Sequence, residues 1–203
     1  MENAANCQHE IMSKASLEKK LARSVEGAKE IAFMESAPIL IRAEIDRIVE
    51  TLSDVPARFF ILGPEKGELS PDQVAMLAEL RNLREQFELA PGVLVRCRRK
   101  HEADNEDLRA AVEAETAALR EIALKQRDRF SKAITAELTA RFGDSDATKR
   151  MIVPAVMSCP SNNAIETMRH LSSNPAAAAR ALIKVRESLE SNETAAHSTP
   201  AAS

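Results

Sequence analysis

The stretch "ELAPGVLVRCRRKHEADNED", residues 88–107, decides how the helices of this 203-residue chain are counted. An apolar helical pattern runs into Pro91-Gly92, a pair that ends helices. Residues 93–97 then read as an extended apolar segment that merges into five basic side chains: Arg96, Arg98, Arg99, Lys100 and His101. A dense acidic patch follows. There Asp104 or Asn105 can cap a new helix, and negative groups favour its positive end. The stretch is therefore expected to be a junction. Its basic patch, Arg96, Arg98, Arg99 and Lys100, is a candidate contact for phosphates or a partner's carboxylates.

Upstream, "SPDQ" at residues 70–73 is a strong helix start. The serine caps, proline suits the first helical position, and Gln73 completes a capping box. Met76, Leu80, Leu83 and Phe87 then form one seam, widened by Val74 and Leu77. In "PILIRAEIDRIVETLSDV", residues 38–55, Ile41, Ile45, Ile48 and Leu52 make a matching seam. The two are expected to pack as an antiparallel helical hairpin. Between them "FFIL", residues 59–62, reads as a short strand or as a segment tucked over a helix end. "GPEKGE", residues 63–68, is a turn without the spacing of a phosphate loop. Ahead of the hairpin, Ser16 opens a helix with Leu17, Leu21, Val25, Ala28 and Ala32 on one face, which Pro38 closes or kinks.

Downstream, a helix is expected over residues 104–143, about 50–60 Å long at 1.5 Å per residue. Leu108, Val112, Leu119 and Ile122 stripe its first half, and Phe130, Ile134, Leu138 and Phe142 its second. Glu115 and Gln126 fall where a continued seam would want apolar residues, so the helix should change packing partner midway. The four later residues are the candidate partner-binding face. After Gly143, "DSDATKR" reads as a linker, and "MIVPAVMSCPSNN" as a docking segment broken by Pro154 and Pro160. A short helix around residues 164–171 follows. Asn174-Pro175 then opens a helix with Ala178, Leu182, Val185 and Leu189 on one face.

These elements give an all-α chain: an elongated helical bundle with one long central helix, a helical hairpin and a proline-broken docking segment. The divisions are a flexible arm over 1–15, a bundle or hairpin over 16–90 and a basic connector over 91–103. The long amphipathic helix over 104–143, the docking segment and C-terminal helices over 144–190, and a disordered tail over 191–203 complete it. Composition agrees. Six Phe, no Trp or Tyr and only five Gly point to helices packed over narrow stripes. A net charge of -3 does not draw the whole chain to nucleic acid or acidic lipid. Three scattered cysteines and the absence of a signal-like opening or a long apolar run imply a reduced, intracellular protein, cytoplasmic or nuclear, with no membrane association.

No catalytic, cofactor-binding or metal-binding residues are assigned. Cys7 with His9, Cys97 with His101, and Cys159 with His170 lack zinc-ligand spacing, and no orienting third group accompanies Cys97. The reading is a non-enzymatic interaction or scaffold subunit with coiled-coil character, binding a protein partner or another copy of itself. The alternative from another class is a nucleic-acid-associated regulator that uses the basic connector. Residues 54–88, "DVPARFFILGPEKGELSPDQVAMLAELRNLREQFE", also resemble a place in Mis12-type kinetochore subunits. There a helix ends at a proline, an "ILLP"-like segment follows and a coiled helix begins. The resemblance covers about a sixth of the chain. It implies a rod-shaped chromosome-segregation complex and brings no catalytic or ligand motif.

Overall fold

The computed structural model describes residues 14–62 and 68–197, and every regular element among them is an α-helix. In chain order these are α1 (Lys14–Thr51), α2 (Ala57–Leu62), α3 (Pro71–Phe142), α4 (Asp146–Met157), α5 (Pro160–Arg169) and α6 (Pro175–His197). The chain divides into two compact units. Unit 2 is Val25–Ala103, and unit 1 takes in the residues up to Ser24 together with those from Asp104 onward. The expected arm over 1–15 lies outside the described residues except at its last two positions, which are already helical. The "GPEKGE" turn lies outside them up to residue 67, as does the end of the tail beyond 197.

In unit 2, α1 and α3 run antiparallel. Partners step down α1 as they step up α3: Glu35 meets Arg98, Glu30 meets Lys100, and Gly27 meets His101. At the far end Ile45, Ile48, Leu52, Leu77 and Leu80 are buried together, with Ile41, Met76 and Leu83 packed against them. This is the expected hairpin seam, except that Phe87 stays 37% exposed. Val55 and Phe59 complete the cluster, so "FFIL" is a short helix, α2, tucked over the end of the pair. The capping box at the start of α3 also forms. Gln73 N–H donates to Ser70 Oγ at 3.2 Å, and Ser70 N–H donates to Gln73 Oε1 at 3.0 Å.

Pro91-Gly92 does not end a helix. α3 passes through both residues for a total of 72, so neither the extended segment at 93–97 nor the cap at Asp104 or Asn105 exists. Proline removes one amide donor and crowds the carbonyl four residues back. Here Pro91 and Phe87 are both exposed, so water can solvate that carbonyl. Ala90, the preceding residue, is buried about 100° round the helix. Beyond it Leu94, Cys97 and His101 are half-buried at helical spacing, so the turns after the proline are held against α1. Pro38 likewise lies inside α1 and does not break it.

The face of α1 also differs from the expected one. Leu17 is buried and Leu21 half-buried, but Ala28 and Ala32 are exposed, while Ser24 and Gly27 are buried in their place. Four-residue steps drift around a helix of 3.6 residues per turn, and two consecutive three-residue steps bring the face back.

Unit 1 packs Leu17 of α1, the 104–142 part of α3, and α5 and α6 around one core. Leu108, Leu119, Ile165, Met168, Leu182 and Leu189 are among its buried members. All four stripe residues of α6 are buried, as expected. Asn105 and Asp107 serve in mid-helix as ties to α1. Ser24 Oγ donates to Asn105 Oδ1 at 2.6 Å, and Lys20 Nζ lies 2.5 Å from Asp107 Oδ1. Lys14 Nζ donates to Glu187 at 2.6 Å, and that hydrogen bond holds the ammonium above its ordinary pKa.

α3 stops at Gly143, whose φ of 74° is the left-handed conformation favoured after a helix. The supposed linker at 144–150 is mostly the start of α4, capped by Ser145, whose Oγ accepts from Thr148 N–H at 3.2 Å. Pro154 sits within α4 on an exposed turn, so the docking segment is helical up to Met157. Pro160 takes the first position of α5, where a proline costs nothing.

Two substitutions test this account of α3. Pro91→Ala should raise stability by up to about 3 kcal/mol, because it restores a helical hydrogen bond. No such gain is expected if residue 91 ends a helix. Gly27→Ala should lower stability by about 1–3 kcal/mol despite alanine's better helix propensity, since its Cβ would stand 2.8 Å from His101 Nδ1. Thermal and urea unfolding followed by circular dichroism measures both.

Candidate interaction surfaces

The polar residues that interrupt the apolar stripe of α3 are where that helix is tied to its neighbours in unit 1. Glu115 is 1% exposed, and Arg186 of α6 is 8% exposed. Arg186 Nε donates to Glu115 Oε1 at 2.8 Å, and its terminal nitrogen donates to the same oxygen. Eleven residues on, Gln126 reaches both other helices. Its Nε2 donates to the Leu189 carbonyl at 3.2 Å, and its Oε1 accepts from the buried Ser161 of α5 at 3.0 Å. These groups fix the registers of α5 and α6 on α3. Ordinary hydrogen bonds contribute about 1 kcal/mol each, whereas a buried charge left alone costs several times more. The ion pair is therefore the stricter constraint. The sequence marked Glu115 and Gln126 as anomalies. Arg186 was missed, although its position beside Val185 and four residues after Leu182 placed a cation on the flank of the α6 stripe.

The candidate partner-binding residues lie late on α3. Phe130, Ile134 and Leu138 are half-buried, Phe142 is 57% exposed, and none belongs to the buried core of unit 1. α4 follows after residues 143–145 and adds exposed apolar side chains from the segment expected to dock. Met151, Val153 and Met157 are all exposed, the last at 70%. "MIVPAVM" is apolar on every side, so a helix made from it cannot bury all of its faces at once.

The basic patch divides in two. Arg98 and Lys100 turn to α1, at 2.7 Å from Glu35 and 3.7 Å from Glu30. Arg96 and Arg99 are exposed. Because the four cations lie on a helix, they are spread around its circumference and do not form one strip. Arg98 and Lys100 thus have a structural task, and Arg96 and Arg99 face outward.

Cys97 is half-buried, Cys159 is buried, and both are free thiols. Cys97 and His101 stand one turn apart on α3, and the His101 ring lies against Gly27. Cys7 and His9 lie outside the described residues. Among the described residues no group of three or more His, Cys, Asp or Glu side chains is placed to hold a metal ion. No described helix is long and apolar enough to cross a membrane. No protein-family model, curated protein or solved structure matches the chain. The kinetochore resemblance of residues 54–88 therefore gains no support from these comparisons.

The ion pair gives a direct test by urea denaturation. Glu115→Ala or Arg186→Ala alone should destabilise the protein by about 3–5 kcal/mol, since each takes the opposite charge away from a buried group. Replacing both together, by Glu115→Leu with Arg186→Met, should recover most of that loss.

Proposed function

We propose that this protein is a non-enzymatic helical interaction or scaffold subunit of a multiprotein assembly, acting inside the cell in the cytoplasm or nucleus. The observation that carries the reading is the apolar surface at the end of α3 and along α4. Phe142, Val153 and Met157 are each more than half exposed in a unit that already has a continuous core of its own. Val153 and Met157 share one face, four residues apart on a helix. Covering a side chain of this size stabilises a complex by about 1.5–3 kcal/mol. A partner helix laid along α4 would supply that cover through spaced apolar anchors. The two free thiols support an intracellular setting. The nucleic-acid alternative finds less support, since Arg98 and Lys100 are engaged by carboxylates of the same chain.

The test is the mass of the protein in solution, alone and after purification from its native source, by light scattering. The native-source protein is expected in a complex heavier than its own oligomer. Phe142→Glu with Met157→Glu should weaken that complex by roughly a hundredfold or more while leaving the helical signal intact. A native-source protein that carries no second component overturns the reading.

A further inference from the structure

The second half of the basic patch lies on the face of α3 turned away from α1. Residues advance about 100° each around a helix, so Glu85, Glu88, Gly92, Arg96 and Arg99 fall within one narrow arc opposite Ala90. Ala90 is buried, and all five arc residues are exposed. Leu89 and Val95 flank the arc at 65% and 46% exposure. Neither glutamate and neither arginine has an ion-pair or side-chain hydrogen-bond partner among the described residues. A Cβ added at Gly92 would meet nothing within 4 Å.

The order of these residues is antisymmetric about Gly92. Glu88 and Arg96 lie equally far from it on either side, as do Glu85 and Arg99, and so do Leu89 and Val95. A face whose charge reverses about its midpoint is complementary to itself when turned end over end. This is the requirement of an isologous two-fold interface. We propose that this face of α3 pairs antiparallel with the same face of a second copy of the chain, about a two-fold axis at Gly92.

In that arrangement Glu88 lies level with Arg96 of the other copy, and Glu85 with its Arg99. Leu89 and Val95 close over the centre. The missing side chain at residue 92 lets the two backbones approach at the crossing. A parallel arrangement would set glutamate beside glutamate and arginine beside arginine. The charges therefore select the antiparallel one. The inference goes beyond the assembly role and rests on residues of unit 2, apart from the apolar surface of unit 1.

The experiment is sedimentation equilibrium of the full chain, with circular dichroism on every sample. The wild-type chain should form a dimer that weakens as salt is raised. Glu85→Arg with Glu88→Arg makes the whole face basic, and Arg96→Glu with Arg99→Glu makes it acidic. Each variant alone should dimerise at least about tenfold more weakly, and an equimolar mixture of the two should form a heterodimer. The fourfold exchange, with all four changes in one chain, should dimerise like the wild type. It keeps the wild-type charge composition, so it decides the matter if a double variant loses its helical signal. A monomeric wild type, a monomeric fourfold exchange, or folded double variants that dimerise singly but not preferentially with each other would overturn the proposal. Phe142→Glu with Met157→Glu should leave the dimer intact. Loss of the dimer without loss of the heavier native complex would thus remove this inference and spare the assembly reading.

Discussion

At Pro91 the backbone of α3 loses an amide donor, and the carbonyl of Phe87 loses its helical partner. The helix continues because the cost falls on an exposed turn, while the turns around it are held from the other side. Ala90 is buried, Leu94 and Cys97 are half-buried, and Arg98 reaches Glu35 of α1. Were the chain to bend at Pro91, the next inward positions could not stay against α1. The placement of the basic run, of Gly27 against His101, and of Asn105 and Asp107 in mid-helix all follow from this one unbroken segment.

The charged residues of α3 take their roles from where the helix puts them. Arg98 and Lys100 are consumed by α1, and Asp107 by Lys20. Glu115 is drawn into the core of unit 1 because Arg186 comes to meet it. Among those that remain outside, Glu85, Glu88, Arg96 and Arg99 lie on the arc around Gly92. A composition close to neutral thus conceals a strict division of labour among the charges. Some hold helices together, and others stay exposed.

Much of the architecture was legible from local rules. The capping box at Ser70, the stop at Gly143, the start at Asn174-Pro175, and the seams around Ile48, Leu80 and Leu182 all appear where their chemistry placed them. The misread prolines share a cause. Pro38 was read as closing or kinking a helix, Pro91 as ending one and Pro154 as breaking one, because proline is unfavourable in a helix by itself, yet each sits inside one. The four-residue spacing of Leu17, Leu21, Val25, Ala28 and Ala32 was a weak guide because it ignores drift. A heptad count offered the missing signal. Inward positions on α3 recur at steps of three and four through Ala90, Leu94, Cys97, His101 and Asp104, but all except Leu94 are small or polar and do not look like a seam.

Local chemistry therefore determined that this chain is built from amphipathic helices, where most of those helices begin, and which apolar residues face inward. It also determined the charge order around Gly92, which is a property of spacing alone. Only the tertiary structure decided that residues 88–107 belong to one helix, because packing against α1 outweighs a penalty of a few kcal/mol at a single exposed turn. It likewise decided that Glu115 is buried and that Arg98 and Lys100 are spent within the molecule. Burial and pairing depend on a partner far away in sequence, and no local pattern contains that partner.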